Sequence, residues 1–185
     1  MSFDLKPIPY DGSWPELFKI EARKIRDALP NLSLEIDHIG STSIAGLNAK
    51  PILDIIIELK SGDLSSLKTP LAQLGYDSKD EYGIPGRSYF SRKKSDASIG
   101  VHVHAFKTGH PAITKHIAFR NFLRAHPKIA HEYGSLKDHL ISLPDLTRDN
   151  YQERKQPFID KINSEALVWY EQNVAAWKTA AECIC

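Results

Sequence analysis

Apolar and polar residues alternate from Leu34 to Ile39, the mark of a strand with one face buried. Pro51 to Leu59 is rich in isoleucine and short, which predicts a strand buried on both faces. Between the two, Gly40 to Gly46 is a turn of small residues. Upstream, Phe18, Ala22, Ile25 and Leu29 recur at helical spacing, and Pro30 stops the run. Ser13 with Glu16 three residues on predicts a capping box at the start of that helix. Leu64, Leu67, Leu71 and Leu74 mark one face of a second helix, with Gly75 at its C-terminal cap. Tyr89-Phe90 and Val101 to Phe106 are the next predicted strands. The pattern is helical after Pro111. A further helix starts at Pro127, carrying Ile129, Tyr133, Leu136 and Leu140 on one face. After a break at Leu143-Pro144, a last helix begins near Asp149. It carries Tyr151, Lys155, Phe158, Ile162, Ala166 and Trp169, with Pro157 expected to kink or split it.

Helix, strands around one helix, then helices: this order predicts an α+β domain. Its mixed β-sheet is flanked by helices and followed by a helical C-terminal portion. The 185 residues suit a single domain over 1–185, with a core at about 7–165 and a fraying tail over 178–185. The two cysteines, Cys183 and Cys185, both stand in that tail, so the fold needs neither disulfides nor a cysteine zinc site. The longest apolar stretch, Pro51 to Leu59, is broken by Asp54 and Glu58, so no membrane span is expected. The first residues include Asp4 and Lys6 and lack the apolar run of a signal peptide, which makes the expected location cytoplasmic.

The net charge of +1 conceals an uneven distribution. Residues 1–85 carry 9 basic and 13 acidic side chains, a net of −4. Residues 86–131 carry 9 basic ones and a single acid, Asp96, a net of +8, together with six of the eight histidines. Residues 132–185 carry 6 basic and 9 acidic side chains, a net of −3. A basic middle between acidic ends suits an anion site and equally a solvated basic face. Arg92-Lys93-Lys94 reads as a solvated hairpin tip.

The chemistry concentrates at His38-Ile39-Gly40-Ser41-Thr42-Ser43 and at Asp54. Gly40 permits a tight turn where a strand ends, and three hydroxyl residues follow. Backbone N–H groups and hydroxyls at such a turn can bind phosphate oxygens, or simply cap a short helix. Asp54 interrupts a buried apolar strand, where a lone carboxylate is costly unless paired, metal-bound or open to water. His102 and His104 alternate, so they share one sheet face. Should their strand neighbour Asp54, the three would form a His–Asp cluster. Such a set can hold a divalent metal, serve as general acid and base, or only bond its neighbours.

These motifs together resemble the GrpB family. The resemblance rests on the run His38 to Asp54, on Pro9-Tyr10-Asp11 with Trp14-Pro15, and on His102-Val103-His104. It extends to Phe119-Arg120-Asn121-Phe122-Leu123-Arg124-Ala125-His126-Pro127 and to Tyr151 with Lys155, covering about residues 7–165. That family is similar to the nucleotidyltransferase superfamily, and some members are fused to dephospho-CoA kinase domains. The resemblance therefore implies a nucleotidyltransferase-like fold. It also implies a nucleotide or other phosphorylated small molecule as partner, with metal-dependent nucleotidyl transfer as the possible reaction. Gly40 and Ser41 match the superfamily's Gly-Ser, with Ser41 and Thr42 toward a phosphate. Asp54 matches the first metal carboxylate and, with His104, is the expected catalytic pair. His102 and His104 join Asp54 as expected ligands of a divalent metal (Mg²⁺, Mn²⁺ or Zn²⁺). Lys50, Arg87, Arg120, Tyr151 and Lys155 are the expected phosphate contacts.

One departure stands out. The second carboxylate belongs two residues after Asp54, where this chain has Ile56. Glu58 cannot replace it, because four residues of strand span about 13 Å and paired catalytic metals lie about 3.5–4 Å apart. A module that binds nucleotide or phosphate without transfer chemistry is thus the alternative. Nucleic-acid binding through the +8 segment is disfavoured, because its basic residues are divided among several elements.

Overall fold

The computed structural model describes residues 7–95 and 99–182, with side chains at 148, 149 and 175–182 outside that description. The first six residues and the tail cysteines Cys183 and Cys185 also lie outside it. Contacts divide the chain, expected to be one domain, into two compact units, Pro7–Ile113 and the part from Thr114 onward.

The first unit holds the whole sheet. Helix α1 (Trp14–Ala28) leads to β1 (Leu34–Ile39), a single 3₁₀ turn at Ser41–Ser43, and β2 (Ile52–Leu59). A 3₁₀ turn at Leu64–Leu67 runs into α2 (Lys68–Gln73), followed by β3 (Asp77–Ser78), β4 (Ser88–Arg92) and β5 (Gly100–Lys107). The sheet order is β1-β2-β5-β4-β3. Only β2 and β5 run parallel; the other pairs are antiparallel, so the sheet is mixed as expected. The two-residue strand β3 is too short to show periodicity in the sequence.

Alternation decides what each face does. Ile36, Leu53, Ile55, Ile57, Phe90, Val101, Val103 and Ala105 point to one side and pack with Trp14, Ala22 and Ile25 of α1 and with Leu67 and Leu71. The opposite face carries Asp54 and Ile56 of β2, His102 and His104 of β5, and Tyr89 and Ser91 of β4, in register with one another. A one-residue slip would exchange the two sets, so burial of the isoleucines fixes where the histidines stand.

Two local expectations are corrected. Ser13 makes no side-chain cap to α1. Its own backbone N–H is instead taken by Asp11 Oδ1 at 2.8 Å. Arg92 is not a solvated tip: both terminal nitrogens reach the buried Glu21 carboxylate, at 2.7 and 2.9 Å, with the guanidinium 4.9 Å from the centre of the Tyr76 ring. Tyr76 donates its hydroxyl to the same carboxylate at 2.6 Å. Burial pushes the Glu21 carboxyl up, but the hydrogen bonds from Arg92 and Tyr76 outweigh it and hold the group below its ordinary range. Lys93 and Lys94 are exposed.

The second unit is helical, as the C-terminal pattern predicts. Helix α3 (Pro111–Ala125) continues into it, followed by α4 (Pro127–Ile141) and α5 (Arg148–Glu182). Thr147 and Asn150 cap α5 reciprocally, with Thr147 N–H to Asn150 Oδ1 at 2.8 Å and Asn150 N–H to Thr147 Oγ1 at 3.2 Å. Pro157 lies inside α5 without splitting it. The carbonyl that lacks a donor belongs to Glu153, four residues earlier, which is an exposed residue. Helix α5 runs to Glu182, and the end of the tail expected to fray over 178–185 lies outside the described residues.

Candidate functional site

The site grows from the point where β1 ends against β2. Ile39 is the register partner of Asp54, so the turn after β1 begins beside that carboxylate. Gly40 has φ +69° and ψ −173°, a region open essentially to glycine alone. A Cβ at Gly40 would also stand 2.4 Å from Asp54 Oδ2 and 2.9 Å from its Cβ and Cγ. The glycine is therefore required twice, by its backbone angles and by the carboxylate pressed against it.

The three hydroxyls that follow have different fates. Ser43 Oγ donates to Gly40 O at 2.6 Å and closes the turn. Thr42 is 1% exposed and donates to Ile52 O at 3.2 Å, while His38 Nε2 donates to Thr42 Oγ1 at 3.0 Å. Thr42 was expected to contact phosphate; burial and these two bonds turn it inward as a tie between β1, the turn and β2. Ser41 is the half-buried member of the three. Lys50, in the segment leading into β2, is half-buried as well.

Parallel pairing of β2 with β5 sets Asp54 beside His102 and Ile56 beside His104. His102 Nδ1 donates to Asp54 Oδ1 at 3.2 Å, and His104 Nε2 lies 4.0 Å from the same oxygen. The juxtaposition left open by the sequence is thus made. Ile56, at the position of the second carboxylate, is 2% exposed, and the carboxylate of Glu58 pairs instead with Lys60 at 3.0 Å.

Arg87 closes the site from the loop before β4. It is 6% exposed, and burial lowers the pKa of its guanidinium. Its Nε donates to Glu81 O at 3.1 Å, one terminal nitrogen to Tyr82 O at 2.5 Å, and the other to His104 Nδ1 at 3.1 Å. Among the described residues, the rings of Tyr89 and Tyr82 also lie against it, 4.8 and 6.0 Å from the guanidinium carbon. No carboxylate is among these partners. A guanidinium carries five N–H groups, so two of them remain for a ligand.

Because a guanidinium can only donate, Nδ1 of His104 must be the accepting nitrogen, and its proton sits on Nε2, toward Asp54. Nε2 then has no lone pair for a metal. Among the described residues no group of three or more His, Cys, Asp or Glu side chains could hold an ion. The three-ligand metal set expected from Asp54, His102 and His104 does not fit this arrangement.

The other expected contacts lie in the second unit. Arg120, on α3, donates from Nε to Asn121 Oδ1 at 2.9 Å. Lys155 Nζ stands 5.1 Å from the centre of the Tyr151 ring, and burial raises the pKa of the Tyr151 hydroxyl. Lys137 of α4 was not foreseen. It is 4% exposed, its Nζ is 4.7 Å from the centre of the Tyr133 ring, and burial, then the charge of Lys155, lower its pKa to about 7. The available signal was the spacing Tyr133-x₃-Lys137, which repeats Tyr151-x₃-Lys155.

Comparison with known proteins places these features in a wider set. The family described as GrpB protein matches residues 6–165. The UPF0157 protein YqkA of Bacillus subtilis (strain 168) is 37% identical over 163 residues, 88% of this chain and 47% of that protein. The chain thus spans about half the length of that relative. The crystal structure of conserved protein GrpB from Enterococcus faecalis matches with a TM-score of 0.79 and 36% identity, over 89% of this chain and 99% of that one. The Cid1 poly(U) polymerase matches with a TM-score of 0.49 and 16% identity, over 74% of this chain and 43% of that one. Among the described residues, no helix is long and apolar enough to cross a membrane.

Proposed function

The chain belongs to the GrpB family, and from that premise we propose that its first unit binds a nucleotide or a similar phosphorylated small molecule. The observation that carries this reading is the Gly40–Ser41 turn pressed against the Asp54 carboxylate, with Arg87 buried nearby and, among the described residues, in no ion pair with an acid. A buried cation without a counter-charge is costly, and an anionic ligand relieves that cost. The backbone of the turn and Ser41 would take phosphate oxygens, and the two remaining N–H groups of Arg87 would take a further one. Asp54 would repel the same oxygens unless a cation screens it. Mg²⁺ is commonly bound through one or two carboxylates plus substrate phosphates, so Asp54 is suited to meet an ion that arrives with the nucleotide. Two-metal transfer has no second carboxylate to use, because Ile56 occupies its place. Binding without metal-dependent transfer is therefore the preferred reading.

A second reading has its own observation. Asp54 holds the Nδ1–H of His102 at 3.2 Å, which leaves the Nε2 lone pair of a part-exposed imidazole free to accept a proton. A hydroxyl placed there could be deprotonated without any metal. His104, its Nδ1 occupied by Arg87, would donate from Nε2 and not act as base.

Thermal unfolding with added ATP, UTP, dephospho-CoA and inorganic phosphate, each with and without Mg²⁺, tests the proposal. A ligand at a hundred times its Kd stabilises by about 2.7 kcal/mol. A rise in Tm with at least one nucleotide, lost in Arg87→Ala, supports the reading. No shift with any of them removes it.

A further inference from the structure

The loop between β3 and β4 carries an arrangement that the proposed phosphate contacts do not use. Asp80 and Tyr82 both have left-handed backbone angles, φ +50° and +42°, although neither is glycine. For a bulky side chain such as Tyr82 this is an outlier, and conformations of that kind persist only where their surroundings impose them. The surroundings here are explicit. Lys79 N–H bonds Tyr89 O and Tyr89 N–H bonds Asp80 O, both at 2.8 Å. Gly86 N–H bonds Glu81 Oε1 at 2.6 Å, and Arg87 ties the carbonyls of Glu81 and Tyr82.

This fixed loop holds Tyr82 open to solvent. The residue is 55% exposed, the largest exposure among the large hydrophobic side chains of the first unit. One face of its ring lies parallel to Tyr89, with centroids 5.0 Å apart and planes at 9°. Tyr89 in turn touches His104 and His102, at 5.2 and 5.7 Å between centroids, and His102 is bonded to Asp54. A continuous row of rings therefore runs from the Asp54 carboxylate to the half-exposed ring of Tyr82, whose backbone is tied down by these bonds. An exposed aromatic is commonly mobile; this one is held in place before any ligand arrives, which lowers the ordering cost of stacking on it.

We propose that Tyr82 is the base-recognition platform of the nucleotide site, stacking the nucleobase on its open face while the phosphates reach back past Arg87 toward Ser41 and Asp54. This inference rests on the nucleotide reading above and narrows it to ligands that carry a planar base. Stacking tolerates any base, so the platform selects nucleotides over base-free phosphates and does not choose among bases.

The test compares two probes, ATP and inorganic tripolyphosphate, on wild type, Tyr82→Ala and Tyr82→Phe by calorimetry, with adenine proton shifts followed by NMR. The expected result is that Tyr82→Ala weakens ATP by about tenfold, leaves tripolyphosphate unchanged and abolishes the upfield shift of the adenine protons. Tyr82→Phe should restore both the affinity and the shift. If ATP binds all three proteins alike, or if Tyr82→Ala weakens both probes equally, the platform is wrong and the nucleotide reading stands. If neither probe binds wild type, the base-tolerant platform is wrong, and the thermal series with UTP and dephospho-CoA decides whether the nucleotide reading falls with it.

Discussion

Replacing Gly40 with alanine perturbs the site at its tightest point. Two costs add. The backbone at φ +69° and ψ −173° lies in a region that costs other residues about 1–3 kcal/mol. The new methyl would stand 2.4 Å from Asp54 Oδ2, so the carboxylate must turn away or β1 must shift, an overpacking cost of about 1–3 kcal/mol. Together they predict a loss of about 4 kcal/mol in the first unit. Urea unfolding followed by circular dichroism and tryptophan fluorescence would report it. With a slope of about 2 kcal/mol per molar, the midpoint falls by about 2 M. Asp54→Ala supplies the control: it removes the Oδ2 and Cγ contacts and leaves the Cβ contact at 2.9 Å. In that background Gly40→Ala should cost less, by about 1 kcal/mol or more. A loss under about 1 kcal/mol, or the same loss in both backgrounds, would refute the claim that the turn and the carboxylate are in forced contact.

Other outcomes follow from the same structure. Arg92→Ala leaves the buried Glu21 carboxylate with the exposed Lys24, 3.8 Å away, in place of a two-point guanidinium, and should destabilise the chain by about 3 kcal/mol in urea unfolding; a loss below about 1 kcal/mol would contradict a buried pair. Glu21 has its pKa lowered on folding, so the stability it contributes is present above its unfolded value of 4.5 and is lost as pH falls through the folded one. Glu21→Gln should flatten that acid limb. Lys137 behaves in the opposite sense. Its folded pKa of about 7 lies below the ordinary 10.5, so between those values the unfolded chain binds the extra proton, and stability rises with pH. The rise approaches about 1.4 kcal/mol per pH unit, and Lys137→Met should abolish it. An unchanged slope in that variant would assign it to another group.

Much of the fold was legible because its signals are local. The alternation from Leu34 to Ile39 matches β1 residue for residue, and the isoleucine run matches β2 to within one residue. Pro127 opens α4 as its chemistry predicts. The element carrying Asp54 and the turn at Gly40 were likewise visible, since each is a departure from a short, regular pattern. Where two local rules competed, the sequence misled. Ser13 had the type and spacing of a cap, yet Asp11 took the bond. Thr42 looked like its serine neighbours, but its position over Ile52 buries it.

By itself, then, the sequence determined the class of the fold, the limits of most elements, the family and the conspicuous residues Gly40, Asp54, His102 and His104. It did so because hydrophobic period, turn chemistry and motif spacing are properties of neighbouring residues. Only the tertiary structure decided how those residues meet. Asp54 and His102 are 48 positions apart, and their bond depends on the parallel register of β2 and β5. That register is set by burying Leu53, Ile55, Val101 and Val103 beneath α1 and α2. Arg87 determines the tautomer of His104 across a separation of 17 positions, and Arg92 finds Glu21 across 71. No local pattern encodes such distances. They arise when the apolar face of the sheet is covered, and the polar face is left holding whatever side chains that packing brings together.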